Sequence, residues 1–298
     1  IDYENKHYES ALSYLSDAIK LDSKNDWYNY YRGLVQLELE MFDDAWTDLM
    51  VWVGKRPGDL ESLDFCAELF IIKGELWHAY QAYSYYEDEI SENLDFRIKR
   101  LMLVLNSQLN ERQVFDFIKN AINDFPEEPM FIYEKAGLYA NKGEFEKAVP
   151  IYEELIKSNP QFLESYMSLA KCHISTNSYV DIYPLLEKAY TSEDIDPVEK
   201  IKLVLALSDD DQVKNLLLIA LDAHPMDPRL NHFYAHMSVQ FGDIEEALIA
   251  YERAIKYNPS SVEVRDEYCY LLYSCKDWMG LENASNQALT YFPLEAKF

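Results

Sequence analysis

Two histidines and a run of three aspartates are the residues whose types and spacing point most directly to chemistry. His232 and His236 are four residues apart, so on a helix they share one face, a spacing that can hold a metal ion. No third ligand follows at a defined spacing, although Asp266 and Cys269 lie farther along. The run 209–211 suggests a calcium loop but lacks the glycine and terminal glutamate of such loops. We expect no metal site: the histidines are interpreted as surface-lining residues and the aspartates as a helix N-cap.

Catalytic motifs are absent from the sequence. It contains no GxSxG nucleophile motif, no HExxH zinc motif and no glycine-rich phosphate loop. Its 53 aspartates and glutamates are so numerous that no carboxylate pair stands out as a general acid and base. We therefore predict that the chain is not an enzyme and uses no cofactor.

Composition narrows the classes of partner. The 298 residues include 27 basic and 53 acidic side chains, a formal net charge of −26. This charge disfavours nucleic acid and anionic membrane surfaces, because both bind through basic side chains. A hydrophobic content of 49% indicates a folded protein, and only 8 glycines and 11 prolines favour helices over sheets with their many turns.

Hydropathy and cysteine usage bear on where the protein works. No apolar run approaches the roughly 18 residues of a membrane-spanning helix, so we expect no membrane insertion. The four cysteines form no CxxC motif and predict buried thiols in a reducing compartment, which favours a cytoplasmic location. The chain begins with Ile1 rather than Met, so we expect a truncated N-terminus and leave a removed leader open.

Prolines, glycines and alanines recur with one period. Pro126 and Pro160 are separated by the same interval as Pro225, Pro259 and Pro293, a period of about 34 residues that is typical of helical repeats. Three glycines each precede an acidic residue in the same register, namely Gly74, Gly143 and Gly242. Alanines precede prolines by one constant interval in the pairs Ala45–Pro57, Ala148–Pro160 and Ala247–Pro259. Agreement among three residue types indicates an array of similar repeats.

Each repeat is predicted to contain two helices. Residues 130–141 form the first in one repeat, and Gly143 supplies the left-handed residue that ends it. Residues 146–157 form the second, which Pro160 cannot continue. Asp196 and Asp227 each precede a proline and are predicted N-caps. The alanines let helices approach closely, and the tyrosines between them fill the layers.

This pattern resembles the tetratricopeptide repeat family. The residues that carry the resemblance most fully are Ala235, Gly242, Ala247, Tyr251, Ala254 and Pro259. The resemblance covers the whole chain and implies an all-α, right-handed superhelix of about eight and a half repeats, a single solenoid over residues 1–298. The repeats are predicted at 26–59, 60–94, 95–128, 129–162, 163–196, 197–227, 228–261 and 262–295, after a half repeat at 1–25. Three depart from the family pattern: Asn110 replaces the turn glycine, residues 208–211 form a shortened turn, and Leu281 replaces an alanine.

The resemblance also implies a binding surface. In this family the first helix of each repeat lines a concave groove. The matching positions here mix aromatic, acidic and basic residues: Trp27, Tyr30, Glu61, Asp64, Glu68, Phe96, Lys99, Tyr133, Glu164, Lys171, Arg229, His232, His236, Glu263, Asp266, Tyr270 and Tyr273. The grouping of Glu61, Asp64 and Glu68 opposite Lys99 and Arg100 does not match the carboxylate-binding clamp of chaperone-binding members.

We therefore expect a protein-interaction scaffold that binds a peptide or partner segment, basic and apolar in character, in the groove. Two alternatives stay open. One is an assembly protein that acts through its convex face or its ends, which includes self-association. The other is a peptide-sensing regulator.

Overall fold

The computed structural model describes residues 7–107, 111–178 and 180–295, and these residues form α-helices and no strand. The helices are α1 (Tyr8–Leu21), α2 (Trp27–Glu38), α3 (Phe42–Gly54), α4 (Leu60–Ile72), α5 (Leu76–Glu89), α6 (Leu94–Leu105), α7 (Glu111–Asp124), α8 (Pro129–Asn141), α9 (Phe145–Ser158), α10 (Glu164–Ser175), α11 (Tyr183–Ala189), α12 (Pro197–Val204), α13 (Asp210–Ala223), α14 (Pro228–Phe241), α15 (Ile244–Tyr257), α16 (Val262–Ser274) and α17 (Trp278–Tyr291). Each predicted repeat thus contains one helix pair, and α1 stands in the predicted half repeat. The fold is an all-α helical repeat, as predicted.

The helices divide into two compact units, Ile1–Phe131 and Ile132–Phe298, called here the N-terminal and C-terminal units. The boundary falls inside α8. Among the described residues, no helix is long and apolar enough to cross a bilayer.

Left-handed residues end the first helix of most repeats. Gly74, Gly143 and Gly242 have φ of +81°, +75° and +82°, which confirms the prediction. The structure adds three residues with side chains, Glu40, Asn177 and Lys276, at φ of 58°, 48° and 61°. Each lies one repeat period from one of the glycines, so the same turn recurs without glycine. Asn110 lies outside the described residues.

Side-chain caps begin several helices as predicted. The Asp196 carboxylate accepts from the Val198 amide at 2.7 Å, and Asp227 accepts from the Leu230 amide at 3.0 Å. The Asp209 carboxylate accepts from the Gln212 amide at 3.0 Å, so the run 209–211 begins α13. Two further acids in its first turn favour the helix dipole.

The recurring alanines lie at the centre of the helix pairs. Ala45, Ala148 and Ala247 are each 0% exposed, so their helices approach closely. Tyr152 and Tyr251 are 2% and 3% exposed and fill the space between layers. These positions confirm the alanine and tyrosine predictions.

Three of the four cysteines are buried, and all four are unpaired. Cys275 is exposed, so the expectation of burial is wrong there. It follows α16 as its C-cap, where the chain turns toward α17 at the surface.

Lys200 is a buried cation in α12. Its side chain is 0% exposed, and Nζ donates to the carbonyls of Tyr190 at 2.9 Å and Ser192 at 2.6 Å. Burial lowers the pKa of Lys200 to about 8, because removal from water disfavours the charged form.

Candidate partner-binding surface

Neighbouring first helices contact each other through side chains 35 positions apart in the sequence. Within the N-terminal unit the pairs are Tyr30–Phe65, with ring centroids 6.5 Å apart, and Asp64–Lys99 at 2.5 Å. Within the C-terminal unit they are Tyr133–Ser168 at 3.0 Å and His232–Glu267 at 2.8 Å. Because the interval is close to one repeat, the first helices that these pairs join lie side by side within their unit. In the N-terminal unit these are α2, α4 and α6, and the side chains that they present together are called here the row.

A partly exposed group of aromatic rings lies at the start of this row in the N-terminal unit. Trp27 is 46% exposed and contacts Tyr30 edge-on, with ring centroids 5.5 Å apart. Tyr30 also contacts Trp52 at 4.7 Å. The Arg56 guanidinium stacks over Trp27 and Trp52 at 5.0 and 4.4 Å and forms an ion pair with Asp26. Trp27 and Tyr30 are therefore held in place by their neighbours while part of their surface stays exposed.

The acidic part of the row is α4. Glu61, Phe65 and Glu68 are exposed and, at spacings of four and three residues, share one face of the helix. Within the described residues, neither Glu61 nor Glu68 forms an ion pair. The two carboxylates therefore flank the exposed Phe65 ring, which continues the aromatic group through Tyr30.

Asp64 differs from the two glutamates beside it. Its carboxylate accepts from the Tyr83 hydroxyl at 2.7 Å and from Lys99 Nζ at 2.5 Å. Burial, together with Asp64, raises the pKa of Tyr83. The predicted residues Asp64 and Lys99 thus neutralise each other, and neither offers a full charge to a partner.

Two residues of α6 point away from this row. Phe96 is 4% exposed and packs against Tyr83 and Tyr86 at 5.0 and 5.1 Å, so it belongs to the core and offers no surface to a partner. Arg100 does not face the α4 acids, because it forms an ion pair with Glu87 and donates to the Tyr80 hydroxyl at 2.8 Å.

In the C-terminal unit, Tyr133 is a packing residue. Its ring contacts Tyr152 and Phe162 at 5.7 and 5.3 Å, and burial raises the pKa of its hydroxyl. Glu164 is half-buried near it and contributes to that rise.

The predicted cations of this unit are paired with the chain's own acids. Lys171 donates to Glu199 at 2.8 Å, and together with Lys202 it lowers the pKa of Glu199 to about 2. Arg229 forms an ion pair with Asp227 at 2.6 Å.

The remaining predicted residues lie on α14 and α16. His236, Asp266 and Tyr270 line a cleft of about 680 Å³. His232 donates from Nε2 to Glu267 at 2.8 Å, so its ring is turned toward α16. In the described part of the chain, no group of three His, Cys, Asp or Glu side chains is placed to hold a metal ion.

Glu263 and Tyr273 complete the predicted set. Both are exposed on α16, and Tyr273 contacts Trp278 edge-on with ring centroids 5.7 Å apart. Neither is among the residues that line the cleft.

Three residues important to these surfaces are absent from the predicted set. Phe65 and Glu267 occupy first-helix positions directly after a predicted residue, Asp64 and Asp266, and Trp52 lies on a second helix. The signal that could have found Phe65 and Glu267 is their interval from Tyr30 and His232, which is one position longer than the repeat period.

Comparisons with known proteins agree with the repeat pattern. The tetratricopeptide repeat family model matches residues 131–162 and 228–261. BBSome complex member BBS4 from Bos taurus is 22% identical over 273 residues, which cover 90% of this chain and 52% of that protein. The chain therefore spans about half the length of this curated relative.

Solved structures similar to this chain include helical repeat proteins whose sequence identity to this chain and TM-scores are both low. YrrB, described as a tetratricopeptide repeat protein with an unusual peptide-binding site, is 14% identical to this chain, with a TM-score of 0.43. The match covers 60% of this chain and 94% of the YrrB chain. A tetratricopeptide repeat protein from Parabacteroides merdae is 16% identical with a TM-score of 0.43 and covers 78% and 92%.

The two matched segments coincide with the helix pairs α8–α9 and α14–α15, which contain the buried alanines and the left-handed glycines. These two segments match the tetratricopeptide repeat, and no particular member of that family is singled out.

Proposed function

We propose that this chain is a non-enzymatic protein-interaction scaffold whose N-terminal unit binds an extended partner segment. The segment carries Lys or Arg beside an apolar side chain. The proposed surface, called the aromatic-acidic surface, comprises Trp27, Tyr30, Glu61, Phe65 and Glu68.

The observation that carries this proposal is the juxtaposition of exposed rings with carboxylates that have no ion-pair partner among the described residues. Trp27 and Phe65 are 46% and 43% exposed, and Tyr30 connects them. Glu61 and Glu68 lie on either side of Phe65 on the same face of α4. An apolar side chain of the partner contributes most to the binding free energy when it covers such rings, and a cationic side chain contributes when it approaches the carboxylates.

Charge also favours a basic partner. The net charge of −26 attracts cationic segments over a distance of about 8–10 Å at moderate salt. Two basic side chains border the surface, and each is paired with an acid of the chain: Lys99 with Asp64, and Arg56 with Asp26. A cationic segment therefore meets little repulsion at Glu61 and Glu68.

The curated relative supports a role among other proteins. Its name describes it as a member of the BBSome complex. The four unpaired cysteines are in keeping with a reducing compartment, so we include a cytoplasmic location in the proposal.

Selection from a library of random peptides displayed on phage tests the proposal. We expect the retained peptides to be enriched in Lys or Arg beside Leu, Ile, Phe or Met. Enrichment of acidic peptides would contradict the proposal.

The aromatic anchors provide a second readout for a selected peptide. Trp27→Ala combined with Phe65→Ala should weaken binding about tenfold or more, because both rings lose their contact with the apolar side chain. The matched control is Trp278→Ala, which removes an exposed ring (58%) from α17 in the other unit. Equal losses in both variants would place the binding site elsewhere.

A second candidate function is assembly with a second copy of this chain through the last helix pair. Tyr273, Trp278 and Met279 are 58%, 58% and 75% exposed and close together in α16 and α17. Sedimentation velocity should then show a dimer that Trp278→Ala with Met279→Ala dissociates. A wild-type chain that stays monomeric at high concentration would eliminate this candidate.

A further inference from the structure

A separate cleft of about 680 Å³ opens in the C-terminal unit between α14, α15 and α16. Its acidic lining is Asp266 and Glu267, and Tyr251 and Tyr270 contribute rings. No Lys or Arg is among the described residues that line it.

Glu267 is held in a fixed orientation by two donors. The Tyr251 hydroxyl donates to Oε2 at 3.0 Å, and His232 Nε2 donates to the same oxygen at 2.8 Å. Tyr251 is 3% exposed, so the phenol is fixed by the core, and burial together with Glu267 raises its pKa. Both contacts end on Oε2, so among the described residues Oε1 is left to accept from a ligand.

The walls of the cleft fit an aliphatic chain. Val239, Ile244 and Leu271 line it, and Leu271 is 6% exposed. Tyr270 is 73% exposed and can lie against a side chain that enters. Apolar walls around a carboxylate suit a side chain whose stem is aliphatic and whose end is cationic.

The N-terminal unit contains an internal example of this chemistry. There the Tyr83 hydroxyl holds Asp64, and Lys99 Nζ donates to both carboxylate oxygens of Asp64 at 2.5 Å. The same ammonium lies 5.6 Å from the Tyr83 ring. A carboxylate held by a core tyrosine thus binds a lysine within this very chain.

We propose that the cleft is a second binding site, independent of the aromatic-acidic surface, that takes a lysine or arginine side chain from a partner polypeptide. The aliphatic stem lies along Val239 and Leu271, and the cation donates to Glu267 Oε1 with Asp266 adding negative charge. Charge complementarity selects this occupant, because Glu267 supplies a carboxylate to the cleft and no Lys or Arg is among the described residues that line it.

Cys275 provides a local reporter for this site. It lines the cleft and is exposed, whereas the other three cysteines are buried, so a small trifluoromethyl tag can be attached to it selectively. Fluorine NMR of the full chain then follows titration with three probes. They are an acetylated, amidated lysine-alanine peptide, the same peptide with ε-acetylated lysines, and its glutamate counterpart.

The lysine peptide should shift the fluorine signal in a saturable way, and the two other probes should not. Glu267→Gln should weaken the binding about tenfold or more, since it removes the charge and keeps the shape. The matched control Glu245→Gln removes an exposed charge from α15 outside the cleft and should leave the affinity unchanged. If Glu267→Gln proves unstable in a melting experiment, Asp266→Asn replaces it and should cause a smaller loss of affinity.

Two outcomes would overturn the proposal. One is the absence of a saturable shift with the lysine peptide, and the other is equal binding of the acetylated peptide. Glu61→Lys with Glu68→Lys should not change this titration, so failure here is distinguishable from failure of the N-terminal surface.

Discussion

The left-handed turn of the repeats yields a sharp prediction about stability at Glu40. This residue has φ of 58°, whereas the matching position in the next repeat is Gly74 at φ of +81°. A side chain in this conformation destabilises the folded chain by about 1–2 kcal/mol. Glycine removes this strain, but it also raises the conformational entropy of the unfolded chain, which offsets roughly 0.4–1 kcal/mol of the gain. Glu40 also places a negative charge just after the C-terminal end of α2, where the helix dipole disfavours it. We therefore expect Glu40→Gly to stabilise the chain by about 1 kcal/mol.

Two other positions grade the same effect. Lys276 has φ of 61° after α16, but its positive charge is favourable at a helix C-terminus, so Lys276→Gly should gain less, about 0.5 kcal/mol. Asn177 has φ of 48°, and asparagine tolerates this conformation, so Asn177→Gly should be nearly neutral.

Urea unfolding followed by far-UV circular dichroism measures the series through the transition midpoint at an unchanged slope. Gly143→Ala is the reverse control and should destabilise by about 1 kcal/mol. An added Cβ at Gly143 meets no atom within 4 Å, so its cost is conformational and not steric. A destabilised Glu40→Gly or a neutral Gly143→Ala would refute the reasoning.

Two further predictions concern helix packing and pH. Gly33→Ala should destabilise the chain by about 1–3 kcal/mol, because the added Cβ would lie 2.8 Å from Leu49 Cγ. Gly137→Ala should stabilise the chain by up to about 1 kcal/mol, because alanine favours the helix and the added Cβ would lie at an ordinary distance of 3.7 Å from the Tyr152 hydroxyl oxygen. The same urea assay measures both. The pKa of Lys200 falls from 10.5 to about 8 on folding. Between pH 8 and 10.5, Lys200 therefore carries more bound proton in the unfolded chain than in the folded chain. For this reason Lys200 makes the free energy of unfolding increase as the pH rises through this range. Lys200→Met should reduce that rise in urea unfolding at pH 7 and 9, and an equal rise in both proteins would contradict it.

The repeat register could be predicted because it depends on positions that favour one residue type, either glycine for a left-handed backbone or alanine for a close contact between helices. Gly143 and Ala148 occupy such positions, and the structure places both as expected. Glu40 and Lys276 adopt the same turn as the glycines, but their types give no sign of it, since the surrounding helix pair imposes the conformation.

The surface could be predicted only in part. First-helix spacing identifies Trp27 and Glu61 as surface residues, but it does not show which charges the chain neutralises itself. Asp64 and Lys99 are paired across two repeats, and Phe96 is turned into the core, because neighbouring helices decide where each side chain goes. Such pairing depends on the exact offset between repeats, which the repeat period does not specify.

The most direct measurement of the central claim is the affinity of a selected basic peptide for Glu61→Lys combined with Glu68→Lys. Fluorescence anisotropy should show a loss of about tenfold or more, with a smaller loss at high salt, because exposed charge interactions are screened. Glu153→Lys with Glu154→Lys makes the same change of charge on exposed α9 and should leave the affinity nearly unchanged. Equal affinity of the two double variants would contradict binding at the aromatic-acidic surface.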